Sequence, residues 1–214
     1  MNIKINNALV SVFHKEGLDD ILQILLHNKV NIYSTGGTAD YIHSLGIPVL
    51  RVEDLTGYPS ILDGRVKTLH PKVFGGILAK RENDHLNQLS QYEIPPIDLV
   101  IVDLYPFEKT VQSTADEASI IEKIDIGGIS LIRAAAKNYK YVTIVSSQDQ
   151  YAEMKEILTS NNCVTSIEQR KNFAKLAFDV SSHYDTAIHK YFNAEQKDGP
   201  LKLSIKTGST LRYG

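Results

Sequence analysis

Residues 30–38 read Val30-Asn31-Ile32-Tyr33-Ser34-Thr35-Gly36-Gly37-Thr38. A short apolar run passes without a linker into two hydroxyls, two glycines and a third hydroxyl. An apolar run of this length bounded by turn residues is a buried strand. The periodic segment Thr38–Leu45 that follows is a helix, stopped by Gly46 and Pro48. Upstream, Ala8–Val12 is a second apolar strand, and His14–His27 places Leu18, Ile21, Leu22, Leu25 and Leu26 at helical spacing. Downstream, Val49–Val52 is a third strand. The order β-α-β-α-β predicts a parallel sheet covered by helices.

The turn in the middle of this unit is also its first chemical candidate. A helix N-terminus presents unpaired N–H groups and the positive end of its dipole, which suits phosphate. Gly36 and Gly37 let the backbone approach an anion, and Ser34, Thr35 and Thr38 bring hydroxyls. The alternative is a tight strand-to-helix turn capped by threonine. The pattern is neither a P-loop nor a dinucleotide fingerprint.

Leu55–Gly76 is rich in Gly and Pro and holds Arg65, Lys67, His70 and Lys72. It reads as a long functional loop with short strands. Arg65 and Lys67 suit a phosphate or a carbonyl; a solvated loop is the alternative. His85–Tyr92 reads as a helix. Asp98–Leu104 is the clearest buried strand, and Asp103-Leu104-Tyr105-Pro106-Phe107 ends it where open parallel sheets bind ligands. Tyr105 there is either an oxyanion donor or a core aromatic. Ala115–Lys123 and Gly128–Lys137 are helical, Tyr141–Val145 is a strand and Gln148–Leu158 a helix. Asp125 suits a helix cap or a proton acceptor, and the N–H groups of Gly127 and Gly128 suit a carbonyl or oxyanion. Arg133 and Lys137 share one helix face, open to substrate or to solvent. Thr165–Phe192 is a long amphipathic helix, packed on its own core or at an interface. Residues 1–192 therefore form one domain, and 193–214 read as a linker.

The 214 residues are 43% hydrophobic and 22% charged, with formal net charge −2. That balance predicts no general affinity for nucleic acid or anionic membranes. The single cysteine, Cys163, excludes an internal disulfide and a four-cysteine zinc site. No His spacing marks a metal site. No run approaches the roughly 18 apolar residues of a membrane span, and Met1–Asn7 is not a signal peptide. The cytoplasm is the expected address.

Six blocks in order, SVFHKEGL, STGGT, RVKTLHP, DLYPF, IDIGG and RAAAKN, resemble the inosine monophosphate cyclohydrolase domain, the N-terminal half of the bifunctional purine biosynthesis protein. Leu211-Arg212-Tyr213-Gly214 resembles the start of that protein's transformylase half, so formyl transfer is not expected of this chain. The resemblance implies a three-layer α/β/α sandwich with a central, mostly parallel sheet, like methylglyoxal synthase. It also implies a homodimer, a purine nucleotide substrate and no cofactor or metal.

The implied reaction closes the pyrimidine ring of 5-formamidoimidazole-4-carboxamide ribonucleotide, giving inosine monophosphate (IMP) and water. Carried over by position, the substrate contacts are Phe13, His14, Lys15, Ser34, Thr35, Gly36, Gly37, Thr38, Arg65, Val66, Thr68, Val102, Asp103, Ile126, Gly127 and Gly128. The catalytic set is Lys67, Tyr105, Asp125 and Lys137, with Tyr105 and the backbone around Lys67 at the oxyanion and Asp125 and Lys137 moving protons. Two residues flanking one unbroken helix at that spacing stand about 18 Å apart. They meet one reacting centre only if the helix is shorter or one of them serves another role or another subunit's site.

Two departures from the family pattern stand out. Phe13-His14 replaces small polar residues, and Asp103 replaces an asparagine. A carboxylate only accepts hydrogen bonds, so Asp103 is expected to face base or ribose, or to pair with a cation. A methylglyoxal synthase-type lyase and a regulatory nucleotide-binding module share the phosphate turn, but neither needs the tyrosine block together with the lysine helix.

Overall fold

The computed structural model describes residues 1–194 and 199–205. The expectations for the end of the chain, the Leu211–Gly214 motif and most of the 193–214 linker, lie outside the described residues.

The middle strand β2 (Asn7–Ser11) is buried on both faces, which is why its sequence is an unbroken apolar run rather than an alternating one. It pairs in parallel with β3 (Asn31–Ser34) on one side and β5 (Leu99–Val102) on the other, so that Leu9 stands between Tyr33 and Val100. With β4 (Leu50–Arg51) and β6 (Thr143–Val145) the sheet has the order β4-β3-β2-β5-β6, all parallel. Leu9 is buried, and its truncation to Ala would cost about 2–5 kcal/mol.

Helix α1 (Leu18–His27) buries Leu18, Ile21, Leu22 and Leu25. It stops where Lys29 takes φ 58° and Val30 donates to the Leu25 carbonyl at 3.0 Å. Helix α2 (Gly36–Ser44) joins β3 to β4. Right-handed crossovers place α1 and α2 on one face. The return from β4 past β2 to β5 reverses direction, so α4 (Pro71–Leu78) and α8 (Gly127–Lys137) cover the other face. Helix α9 (Tyr151–Ser160) packs on α1, and α10 (Ile167–Phe192) packs on α8 and β6. The expected α/β/α sandwich with a parallel sheet is the architecture found.

The segment 55–76 carries none of the expected short strands: it runs as turn and loop over 57–61 and 65–70, punctuated by short helical pieces. Val52 already opens α3 (Val52–Thr56), a 3₁₀ turn covers Leu62–Gly64, and Pro71 opens α4 at its first turn, with His70 accepting from Lys72 N at 3.1 Å. Its glycines serve two ends: Gly57 and Gly64 take left-handed φ of 64° and 82° in the turns, and Gly76 serves packing. A Cβ on Gly76 would lie 2.5 Å from the Pro95 carbonyl oxygen, so only glycine lets α4 approach that backbone. Phe107, read as the tail of a strand block, opens a further helix, α6 (Phe107–Ser113). Two short helices, α5 (Asn83–Gln91) and α7 (Glu117–Ile121), stand near their expected places. The N-terminal β1 (Ile3–Lys4) pairs antiparallel with β7 (Val164–Thr165). Thr165 is therefore strand, and α10 starts after Ser166, whose hydroxyl and Gln169 form a capping box.

Candidate active site

The sheet order reverses between β2 and β5, and a cavity of about 690 Å³ opens beyond the C-terminal ends of those strands. This is the place where open parallel sheets bind ligands. Its wall comes from the loops after β2, β3 and β5, the 63–68 segment and the start of α8.

At one end stands the Gly-rich turn. Gly36 has φ 53°, and a Cβ there would lie 2.8 Å from Lys67 Nζ. The left-handed φ favours glycine there, and Lys67 reaches across to the start of α2. Lys15 Nζ donates to Thr38 Oγ1 at 3.2 Å and to the Phe13 carbonyl at 3.1 Å, and also to the Val12 carbonyl. Burial pushes its ammonium below the ordinary lysine value, with Lys67 adding to that fall against the opposing pull of Asp103 and Glu16.

The three hydroxyls of the turn are already engaged. Ser34 Oγ donates to the Val10 carbonyl at 2.6 Å, Thr35 Oγ1 to Glu53 at 2.9 Å and Thr38 Oγ1 to the Val12 carbonyl at 2.9 Å. What the turn offers an anion is therefore backbone N–H groups and the two lysines, not the hydroxyl donors expected from the sequence.

At the other end stand Phe13, Tyr105 and Asp125. Phe13 and Tyr105 meet edge to face at 5.3 Å, and Lys123 Nζ lies 5.2 Å from the Tyr105 ring centre and 5.7 Å from that of Phe13. Both rings are exposed to the cavity, at 43% and 38%. Burial, then the Asp125 and Glu122 carboxylates, push the Tyr105 hydroxyl above its ordinary value, which keeps it a donor. The Asp125 carboxylate accepts the Gly128 N–H at 2.6 Å in the first turn of α8. Burial raises its pKa above the usual carboxylate range, and Asp103 adds to this. The Gly128 and Tyr105 N–H groups and Lys67 oppose it. A buried carboxyl with a raised pKa and a phenol donor lining the same cavity make an acid–base arrangement.

Asp103, 8% exposed, is met by the loop after β2. It accepts the N–H groups of Phe13 and His14, the latter at 3.0 Å, and stands 2.6 Å from His14 Nδ1. Arg65 pairs with Glu122 at 2.5 Å at the cavity rim. A Cβ on Gly127 would lie 3.0 Å from Thr68 Oγ1, so the 65–68 loop and α8 touch there.

Of the residues named from sequence, the cavity gathers Phe13, Lys15, Thr35, Gly37, Thr38, Arg65, Lys67, Thr68, Asp103, Tyr105, Asp125, Ile126, Gly127 and Gly128. It does not gather His14, Ser34, Gly36, Val66, Val102 or Lys137. His14 stands behind the wall as Asp103's partner. Val102 is 1% exposed at the end of β5 and belongs to the core. Lys137 is exposed at the far end of α8, about 15 Å along the axis from Gly127. Asp125 and Lys137 of one chain therefore stand too far apart for one reacting centre, which removes the shorter-helix alternative and leaves another role or another subunit's site for one of them. Lys123 is the residue that sequence reading missed. Its place two residues before Asp125 was the available signal, hidden because it read as the end of a helix.

The MGS-like domain model matches residues 17–130. The chain belongs to the MGS-like domain family. The AICARFT/IMPCHase bienzyme model matches residues 135–214, and α8 runs unbroken through the junction between the two matches. The bifunctional purine biosynthesis protein PurH of Bacteroides thetaiotaomicron is 58% identical over 99% of this chain and 42% of its own length. That of Rhodospirillum rubrum is 44% identical over the whole of this chain and 41% of its own length. The chain thus spans about two fifths of these curated relatives. The crystal structure of ForH superimposes with a TM-score of 0.77 at 33% identity, covering 88% of this MGS-like chain and 99% of ForH. Among the described residues no helix is long and apolar enough to cross a membrane.

Proposed function

We propose that the chain is an IMP cyclohydrolase that closes the pyrimidine ring of 5-formamidoimidazole-4-carboxamide ribonucleotide. The observation that carries the reading is one cavity joining an anion cradle to an acid–base pair. Lys15, Lys67 and the α2 N-terminus form the cradle, and Asp125 and Tyr105 form the pair. A nucleotide's phosphate suits the first and its heterocycle the second.

The chemistry follows from those groups. Holding carboxamide and formyl groups in contact supplies several kcal/mol of the barrier. The Asp125 carboxylate takes a proton from the carboxamide nitrogen as that nitrogen bonds to the formyl carbon. The formyl oxygen becomes an oxyanion held by the Tyr105 hydroxyl, a donor of a kind worth about 3 kcal/mol. Asp125 returns the proton to this oxygen, giving a carbinol. It then takes the formamido N–H proton and passes it to the departing hydroxide, which leaves as water while the C=N bond forms. Atoms and protons balance with no cofactor or metal. Lys137 has no part in this chain's cavity. The same reading includes a homodimer and, in a longer protein, a transformylase domain.

The test mixes the purified chain with the ribonucleotide, without folate or metal, and follows IMP by absorbance. Turnover that falls in Asp125→Asn and Tyr105→Phe is the expected result. Tight nucleotide binding without turnover would make the chain a binding module instead.

A further inference from the structure

The residues between α7 and α8, 122–126, hold Asp125 yet belong to no regular element. One side chain from the far helix α10 grips them. Tyr184 Oη accepts the Asp125 N–H at 2.9 Å and donates to the Lys123 carbonyl at 2.7 Å. Tyr184 is buried, and that burial pushes its hydroxyl up to about 12, so it keeps its proton across the working range. Its ring meets Phe107 at 6.1 Å. Phe107 N in turn donates to the Tyr105 carbonyl at 2.8 Å. Phe107, Ile120 and Tyr184 form a small core of their own beneath the cavity. One phenol therefore meets the backbone on both sides of Ile124, and through Phe107 it also backs the loop that carries Tyr105.

We propose that Tyr184 is a positioning residue, whose hydroxyl sets the 123–125 turn and so aims the Asp125 carboxylate and the Lys123 ammonium into the cavity. It touches no substrate. With the hydroxyl removed, the turn loses both hydrogen bonds while the phosphate cradle, built on other elements, is left as it was. The functional part of the proposal rests on the cyclohydrolase reading; the structural part does not.

The experiment compares the whole chain with Tyr184→Phe and with Tyr191→Phe. Tyr191 also packs on Phe107, at 5.9 Å, and serves as the control for loss of an α10 hydroxyl. Two quantities are read: steady-state IMP formation, and the titration of the Asp125 carboxyl by carbon NMR. In Tyr184→Phe, kcat should fall about 10- to 100-fold, the scale of a slight misplacement of a reacting group, with KM within about twofold. The Asp125 midpoint should move down towards the ordinary carboxylate range as the loosened turn lets water reach the carboxylate and relieves the burial that raises it. Tyr191→Phe should change neither. Unchanged kcat in Tyr184→Phe, or an unmoved Asp125 midpoint, overturns the proposal.

If the unmodified chain forms no IMP, the cyclohydrolase reading fails and the Asp125 titration alone decides the positioning role. If Tyr184→Phe does not fold, 3,5-difluorotyrosine at position 184 takes its place. Its acidified hydroxyl loses the donor to Lys123 at high pH. Activity, or the Asp125 signal in its absence, should then change across that ionisation, and a pH profile parallel to the unmodified chain would refute the role.

Discussion

His14 Nδ1 stands 2.6 Å from Asp103 Oδ2, and the same carboxylate accepts the Phe13 and His14 N–H groups. The two positions read from the sequence as departures from the family pattern are thus halves of one arrangement. A carboxylate only accepts, and here the loop after β2 supplies three donors to it. An asparagine at 103 would turn an N–H₂ towards those donors.

A double-mutant cycle over His14→Ser and Asp103→Asn should therefore be non-additive. We expect Asp103→Asn alone to cost about 1–3 kcal/mol, the scale of leaving buried donors unpaired. The coupling energy should fall within about 0.5–3 kcal/mol. Chemical denaturation of the four proteins measures both, and additive losses would show the pair to be incidental.

In the proposed reaction Asp125 and Tyr105 set the pH dependence. Asp125 would act first as a base, so activity should be lost as pH falls through its pKa. That pKa is raised by burial, which places the acid limb above the ordinary carboxylate value of about 3.9. Tyr105 acts protonated, and its hydroxyl is raised too, so its limb lies above about 10. Tyr105→Phe should lower kcat about 10²- to 10³-fold and Asp125→Asn about 10²- to 10⁴-fold.

The same shift predicts a stability effect of known sign. The folded state holds the Asp125 proton more tightly than the unfolded chain does. Its ionised form therefore costs stability once pH rises above the unfolded value, and fully so above the folded one. The Tm of Asp125→Asn relative to the unmodified chain should be higher at pH 7 than at pH 4. Calorimetry at the two values checks it.

Lys15 and Lys137 should separate in a binding experiment. Lys15 lines the cavity, and Lys137 ends α8 far from it. Titration with IMP, read by calorimetry, should show Lys15→Ala binding at least about tenfold more weakly, the loss of roughly one charge-assisted hydrogen bond. Lys137→Ala should bind within about twofold of the unmodified chain. Equal losses would mean that Lys137 reaches a nucleotide by a route this single chain does not contain.

Arg170 carries a structural role unrelated to the site. It is fully buried on α10 and donates to the carbonyls of Met1, Tyr139, Lys140 and Thr165. These contacts tie the chain start, the turn before β6 and β7 together. Burial lowers its pKa, though a guanidinium stays charged. Arg170→Met fills the space but leaves four carbonyls without their donor, so a loss of about 3–5 kcal/mol is expected, with nucleotide binding per folded molecule unchanged. Denaturant midpoints and active-site titration measure the two separately.

Much of the fold was legible locally. Leu9 and Val100 sit in strands buried on both faces, and such strands announce themselves as apolar runs. The helix α1 announces itself by period. One glycine misled because its reason was long-range: Gly76 is small because of Pro95, nineteen positions on in sequence and a neighbour only after folding. Phe107 was legible as an aromatic but not as the opening of a helix, because its partners Tyr184 and Tyr191 lie on α10.

The sequence by itself determined the alternation, hence the parallel sheet, and it determined which loops fall at the sheet's C-terminal edge, since direction along a strand is local information. Only the tertiary structure decided which groups share a cavity. It turned the hydroxyls of Ser34, Thr35 and Thr38 inward, brought Lys67 onto Gly36, and raised Lys123 onto two aromatic faces. It also paired His14 with Asp103 and held Lys137 a helix-length away from Asp125. Each of these depends on where a side chain ends relative to an element distant in sequence, and no local propensity encodes that distance.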